Sequence, residues 1–200
     1  MPVFVHLQII WENRFKKDKG NDCLTTVDGT DFRIAEQGRA FYSFKYKKSG
    51  LRYEVALCIA TGDIVWLNGP YECGMWNDLM IFRDSLLSHL APAERIEADD
   101  GYIGEHPRYV KCPRGFANPT ETEFMQQRVW NRQETVNKRF KQWGLLKQVY
   151  RHEIARHGEA FRAIAVMTQL SINNGEQLFA CGYRDPPYGA EDTNGADADV

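Results

Sequence analysis

The sequence predicts an α/β domain in which a mixed β-sheet is flanked by helices. Between residues 23 and 67, segments rich in β-branched and aromatic residues alternate with short Gly-containing turns, which is typical of antiparallel strands. Beyond residue 75, apolar residues recur at helical spacing, and a short strand at 95–98 follows the first helix, giving a strand–helix–strand connection. The chain has 200 residues, of which 43% are hydrophobic, enough for one domain with its own core.

The first half of the chain is predicted to supply the antiparallel strands. An apolar segment within residues 1–22 is expected to pack on the domain as a short helix or strand. A strand then begins at Cys23 and is expected to end near Asp28, because Asp-Gly is a turn signal. A three-stranded antiparallel meander is predicted from segments 41–46, 51–59 and 64–67, with turns at 48–50 and 61–63 and a closing Gly69-Pro70.

The second half is predicted to be mainly helical. A helix over 76–90 has Asn77 as its candidate N-cap. A second helix begins at Thr120, in a sequence typical of a capping box, and runs to about Gly144. A last helix covers 158–172.

Composition narrows the class of protein. The five cysteines are scattered, odd in number and never in a C-x-x-C pair, which argues against a disulfide framework or a zinc site and favours a reducing compartment. The chain shows no membrane-spanning apolar run and no signal peptide at its start, so we expect a soluble nuclear or cytoplasmic protein. Residues 184–200 are rich in acids and are expected to form a disordered tail after a folded domain at 23–183.

A strongly basic run at 128–152 contains a single acid, Glu134. Its seven bases are Arg128, Arg132, Lys138, Arg139, Lys141, Lys147 and Arg151. On a helix, Glu134 shares a face with Lys138 and Lys141. Glu134 either pairs with Lys138, or it is a metal ligand beside a track of bases that holds phosphates. The run alone leaves both interpretations open.

Two further acids, Asp28 and Asp99, are each expected to follow a strand. If those strands are neighbours, both carboxylates project from the same edge of the sheet, and Glu134 can complete a cluster of three. Carboxylates suit hard divalent cations such as Mg²⁺. Two such ions can activate a water on one side of a phosphodiester and stabilise the leaving oxygen on the other.

Three neighbouring acids have simpler interpretations. Asp31 is expected to be a turn residue that caps the backbone. Asp78 is expected at the start of a helix, where the helix dipole favours an acid whatever its function. Asp100 should point to the opposite face of the sheet from Asp99. The five histidines show no metal-ligand spacing and are expected on the surface or in loops.

Four segments of the chain occur in the order seen in PIF/Harbinger-type transposases. They are VDGTD at 27–31, GPYECGMWNDLMIFR at 69–83, ADDGY at 98–102 and RQETVNKRFK at 132–141. The resemblance covers roughly residues 10–183. The Asp-x-Gly-Tyr motif at Asp99 and the spacing of seven residues between Glu134 and Lys141 are its more specific features.

The resemblance implies a DDE-type endonuclease with an RNase H-like fold, whose mixed five-stranded sheet has three antiparallel strands followed by parallel ones. It implies that Asp28, Asp99 and Glu134 are catalytic and hold two divalent ions, Mg²⁺ or Mn²⁺. It also implies that Lys141 lies near substrate DNA.

One position departs from the related bacterial motif, which has an arginine four residues before the glutamate. This chain has Trp130 there, so Arg128 and Arg132 are the candidates for that role. All predicted DNA-binding residues are bases from the run at 128–152 or from the loop at 105–118. They are Arg128, Arg132, Lys138, Lys141, Arg108, Lys111 and Arg114.

The alternative function is that of a domesticated or truncated transposase derivative, acting as a non-catalytic DNA- or protein-binding module. Only 27 residues precede Asp28, which is about half of what a three-helix DNA-reading domain needs. Proteins similar to this one often act with a separate Myb-like DNA-binding protein, so such a partner is expected, and a homodimer is compatible with either function.

Overall fold

Six strands and four α-helices make up the part of the chain that the computed structural model describes, which is residues 9–16, 23–112 and 121–181; the side chains of residues 121–125 lie outside this description. The strands are β1 (Cys23–Arg33), β2 (Tyr42–Ser43), β3 (Lys48–Cys58), β4 (Ile64–Glu72), β5 (Arg95–Ala98) and β6 (Val110–Lys111). The α-helices are α1 (Asp78–Asp84), α2 (Glu121–Phe140), α3 (Gly144–Lys147) and α4 (His157–Asn173).

All six strands belong to one mixed sheet. The antiparallel part runs β4-β3-β1, and β5 and then β6 continue on the other side of β1, parallel to it. The sixth strand is β2, which has two residues and pairs with the first residues of β3. The structure is therefore an α/β fold with a mixed sheet, as predicted, although the sheet has six strands rather than five.

Strand limits differ from the prediction at four places, of which three lie in β1, β2 and β3. β1 continues through Asp28 and Gly29, which pair with Val55 and Glu54 of β3, so the Asp-Gly step does not end the strand. The expected turn at 48–50 is the beginning of β3, and of the expected strand at 41–46 only β2 pairs.

β4 also runs past the predicted stop at Gly69-Pro70. Between the pairs Arg52–Tyr71 and Glu54–Asn68, β4 advances three residues while β3 advances two. The extra residue forms a bulge, and Gly69 has a φ of +122°, which suits glycine. A bulge is where a strand tolerates proline, so the strand continues.

The predicted helices are present, with different ends. Asn77 caps α1 as expected, because its side chain accepts a hydrogen bond from the Met80 amide at 2.8 Å. The α-helix ends at Asp84, and Leu86–His89 follows as a 3₁₀ helix instead of a continuation to residue 90. α2 ends at Phe140, before the expected stop, and the proposed cap Thr120 lies outside the described residues.

Helices cover both faces of the sheet. On one face, Phe32 and Val55 pack with Val136 of α2 and Phe161 of α4. On the other face, a second core that includes Val27 and Ala56 packs against Phe82 of α1 and Tyr102. Val55 and Ala56 belong to opposite cores because successive side chains of a strand point to opposite faces.

Part of the N-terminal segment packs on the second core as a 3₁₀ helix, Trp11–Phe15. The Trp11 indole donates to the His89 carbonyl at 3.0 Å, and the buried Arg14 guanidinium pairs with Glu94 at 2.7 and 3.0 Å. Within residues 9–16, the apolar start therefore packs on the domain as predicted. The predicted tail at 184–200 lies outside the described residues.

The cysteines and histidines are placed by packing. All five cysteines are free thiols, and four of them are buried. His157 is buried in the first core, with Nδ1 2.6 Å from the Tyr53 hydroxyl, so the expectation of a surface or loop position was wrong for this histidine.

None of the described helices is both long and apolar enough to cross a membrane.

Candidate functional site

The parallel pairing of β1 and β5 brings two predicted site residues to the same level of the sheet. Val27 of β1 pairs with Ala98, the last residue of β5. Asp28 follows Val27 and Asp99 follows Ala98, so the two acids lie side by side where β5 ends. Asp99 is exposed and accepts a hydrogen bond from the Gly101 amide at 2.9 Å, and Asp28 is half-buried.

Helix α2 is held over Asp28 by hydrogen bonds from its polar underside. The Asn137 amide donates to Oδ2 of Asp28 at 2.6 Å. One turn earlier, Gln133 accepts from the Thr26 hydroxyl at 2.9 Å and donates to the Val55 carbonyl at 3.2 Å. These contacts set the rotation and the position of the helix along β1.

Glu134 lies between those anchors on α2. It is exposed, and its negative charge acts on Asp28. None of the ion pairs among the described residues joins Glu134 to Lys138, so the pairing that the charge run allowed is not formed. The third predicted acid therefore faces the same region as Asp28 without a cation bound to it at short range.

A fourth carboxylate, Asp78, reaches this region from the start of α1. Its Oδ1 lies directly over Gly29: a Cβ added there would overlap it. A Cβ added to Gly101 would lie 3.3 Å from Oδ2 of Asp78 and 2.9 Å from Oδ1 of Asp99. The two glycines let three acids approach each other. We call Asp28, Asp78, Asp99 and Glu134 the acidic edge.

The acids of the acidic edge repel one another. The pKa of Asp28 is raised to about 7, first by burial and then by the negative charges of Asp99, Glu134 and Asp78, against the opposing effect of Lys45. Burial likewise raises the pKa of Asp78, although Arg52 opposes the rise. Oδ1 of Asp78 is buried and has no hydrogen-bond partner among the described residues. The acidic edge therefore gathers four carboxylates, whose mutual repulsion is opposed by the charges of Arg52 and Lys45.

The side chains surround this region without meeting at one point. Among the described residues, no three His, Cys, Asp or Glu side chains are close enough together to hold a metal ion as they stand. Asp28, Asp78, Asp99 and Glu134 thus act on each other electrostatically across a common space.

Asp31 belongs to a separate, satisfied ion pair. It is a buried strand residue, not the expected turn residue, and it is bonded to Arg52 at 2.8 and 3.2 Å and to the Ser43 hydroxyl at 2.7 Å. Burial alone would raise its pKa, but the bonds and charge of Arg52 outweigh burial and lower it. Arg52 also lies 3.5 Å from Asp78, so it links the two acids.

Two lysines flank the acidic edge. Lys141, predicted near DNA, is half-buried over the rings of Phe32 and Tyr46, at 5.7 and 6.0 Å. Burial and then the charge of Lys45 lower the pKa of Lys141, while Glu134, Asp31 and Asp28 oppose that drop. Lys45 was not predicted, because it lies on the segment before β3 and only the fold brings it close to Asp28.

The other predicted DNA-binding bases are placed less uniformly. Lys138 and Arg108 are exposed, with the Arg108 guanidinium 4.8 Å from the Tyr109 ring, and Lys111 is half-buried in β6. Arg128 donates to the Ala180 carbonyl at 3.0 Å. Arg114 lies outside the described residues.

Arg132 is placed where it cannot contact DNA. Only 2% of its surface is exposed, and its guanidinium donates to the carbonyls of Cys58 and Ile59 at 3.1 and 2.7 Å. The prediction that it binds a phosphate or replaces the missing motif arginine is therefore wrong for this structure. The sequence could have indicated this burial, because Arg132 follows Val129 by three residues and precedes Val136 by four, which places it on the apolar face of α2.

No family model matches the chain, and no curated protein matches its sequence.

Proposed function

We propose that the protein is a metal-dependent DNA endonuclease, the catalytic domain of a DDE-type transposase, with an RNase H-like fold. The observation that carries the proposal is the acidic edge: acids from four separate elements surround one space and act on one another electrostatically. The strand arrangement supports the fold assignment, since three antiparallel strands are followed by two strands parallel to β1.

The chemistry of these side chains suits divalent cations, although no three of the described acids are close enough together to hold one as they stand. Carboxylate and amide oxygens are the donors that Mg²⁺ and Mn²⁺ prefer, and the acidic edge offers four carboxylates. Two oxygens beside it, Oδ1 of Asp78 and Oδ1 of Asn137, are buried without a hydrogen-bond partner among the described residues. A cation would also relieve the repulsion that raises the pKa of Asp28.

In the proposed reaction, Asp28, Asp99 and Glu134 would hold the ions, and Asp78 would supply a further oxygen from the α1 side. Such ions lower the pKa of a bound water and stabilise charge on phosphoryl oxygens. Asn137 keeps the Asp28 carboxylate oriented through its 2.6 Å hydrogen bond. Lys141 and Lys45 attract the phosphate group. Water adds to phosphorus, the bond to the 3′ oxygen breaks, and that oxygen leaves as a 3′-hydroxyl, which a transposase would then use to attack target DNA.

The test is nicking of a supercoiled plasmid in Mg²⁺ or Mn²⁺. We expect Asp99→Asn to reduce the nicking rate by more than about 100-fold, the upper end of the loss seen when even an outer partner of a metal ligand is removed. Asp100→Asn is the matched control, because it removes the same charge one residue away and should leave the rate unchanged. Full metal-dependent nicking by Asp99→Asn would overturn the mechanism.

One observation favours the alternative, a non-catalytic DNA- or protein-binding module: no three described acids stand close enough to share an ion. Titration with Mn²⁺, followed by calorimetry, separates the two functions. The endonuclease should bind the ion with an affinity that falls in Asp99→Asn but not in Asp100→Asn. A binding module should show no ion affinity that depends on Asp99.

A further inference from the structure

An open, basic cavity of about 850 Å³ lies at the C-terminal end of β1, beyond Asp28 of the acidic edge. It is bounded by the end of β1 and the chain that follows, by β2 and the start of β3, and by residues 149–151. None of its described lining residues is acidic, whereas several are cationic, and one aromatic ring, that of Tyr42, stands among them. The cations are Arg33, Arg39, Lys47, Lys48 and Arg151. We call this the basic cavity.

The charges of the basic cavity are not neutralised by the described part of the protein. None of its five cations forms an ion pair with a described carboxylate. Arg33 donates only to a backbone carbonyl, that of Lys147, at 3.2 Å. Elsewhere in the fold, arginines pair closely with acids, as Arg14 does with Glu94 and Arg52 with Asp31. Like charges that share a cavity repel each other, so an anion bound there would be favoured.

The walls of the basic cavity are held by backbone hydrogen bonds. Residues 149–151 are joined to the end of β1, because the Tyr150 amide donates to the Arg33 carbonyl at 2.9 Å and the Ala35 amide donates to the Tyr150 carbonyl at 2.8 Å. On the opposite side, β2 pairs with the start of β3, and the Lys47 amide donates to the Ser43 carbonyl at 2.8 Å. The segments that carry the cations are therefore held in place by backbone hydrogen bonds to β1 and β3.

The basic cavity is within reach of a nucleic acid bound at the acidic edge. Arg33 lies five residues beyond Asp28 on β1, which is about 17 Å at the ~3.4 Å rise of an antiparallel strand. A DNA duplex advances about 3.4 Å along its axis per base pair, so a duplex that passes the acidic edge covers this distance within a few base pairs. We propose that the basic cavity binds the phosphate backbone of DNA that flanks the phosphodiester held at the acidic edge. This inference rests on the proposed endonuclease function and adds a contact that positions the DNA.

The test compares two double variants of the full chain. Lys47→Gln/Lys48→Gln removes two charges from the basic cavity, and Arg156→Gln/Arg162→Gln removes two from exposed positions outside it. Binding of a fluorescent DNA duplex is measured by anisotropy over a range of salt concentrations. Each lost phosphate contact lowers the slope of log Kd against log salt by about 1, so the lysine variant should lose about 2 and the arginine variant none.

Position is tested by hydroxyl-radical footprinting of the same duplex. The lysine variant should lose protection of backbone positions that flank the site that the wild type nicks. If the wild type nicks DNA and the lysine variant keeps the wild-type slope and footprint, the basic-cavity proposal alone is overturned. If the slope falls in the lysine variant but the wild type does not nick DNA with Mg²⁺, the cavity is supported as a DNA-backbone site and the endonuclease proposal alone is overturned.

Free phosphate is distinguished by thermal unfolding with inorganic phosphate as the probe. If phosphate stabilises the wild type but not the lysine variant, while the salt dependence of DNA binding is the same in both, the cavity binds free phosphate. That result would overturn the proposal.

Discussion

Gly29→Ala should force the Asp78 carboxylate away from the acidic edge. A Cβ at residue 29 would overlap Oδ1 of Asp78, and the backbone of Gly29 does not have the positive φ that would itself disfavour alanine. The alanine therefore changes packing and little else. Inserting one methyl group into a filled site lowers stability by about 1–3 kcal/mol, and we expect the free energy of unfolding to fall by that amount.

A double variant isolates the overlap. In Gly29→Ala/Asp78→Ala the carboxylate is absent, so alanine at residue 29 should be tolerated. The two substitutions should then be non-additive, by about 1–2 kcal/mol relative to the sum of the single variants. Asp78→Ala alone also loses the contact with Arg52 at 3.5 Å, and for this reason the single variant must be measured.

Urea unfolding, followed by circular dichroism, supplies the free energies. Gly144→Ala is the matched control, because a Cβ there would have no atom within 4 Å. Its free energy of unfolding should stay the same or rise by up to about 1 kcal/mol. Wild-type stability in Gly29→Ala, or strict additivity in the double variant, would mean that the Asp78 carboxylate does not lie over Gly29.

Three further variants test other parts of the structure. Burial lowers the pKa of His157 to about 4 from an ordinary 6.5, so the unfolded chain binds more protons between these pH values. The free energy of unfolding should therefore decrease by about 3 kcal/mol as the pH falls through that range, and a slope that persists in His157→Gln urea melts would contradict this. Arg132→Met should lower stability by about 1–3 kcal/mol, because it removes the guanidinium bonded to the Cys58 and Ile59 carbonyls, and it should leave the salt slope of DNA binding unchanged. Lys138→Gln should do the opposite, keeping the stability and lowering that slope by about 1; equal slopes in the two variants would contradict the assignment of Lys138 to the DNA-facing side.

Local signals predicted the elements better than their ends. Asp28-Gly29 has the sequence of a turn, yet it lies in mid-strand because β3 pairs with it and because a glycine is needed beneath Asp78. Gly69-Pro70 has the sequence of a strand stop, yet β4 accommodates it in a bulge. In both cases the deciding contact comes from a residue distant in sequence.

The candidate site likewise contains residues that the local sequence could place and residues that only the fold brings together. Asp28 and Asp99 were placed together from the sequence on the expectation that each ends a strand. They do lie at the same level of the sheet, but Asp28 is in mid-strand, and the parallel pairing of β1 with β5 brings the two together. Asp78 was given a helix-terminal role, which its local sequence fully explained, and its contact with Gly29 appears only in the fold. Asn137 and Lys45 depend on how α2 and the segment before β3 lie against β1, which periodicity does not determine.

The underside of α2 has a mechanical consequence. Apolar contacts such as that of Val136 would tolerate a small slide of the helix, but the side-chain amide of Gln133 is bonded to Thr26 and Val55, and that of Asn137 to Asp28. A shift of one helical turn would break every one of these bonds at once. These polar contacts therefore fix a single position of α2 along the sheet, and with it the position of Glu134.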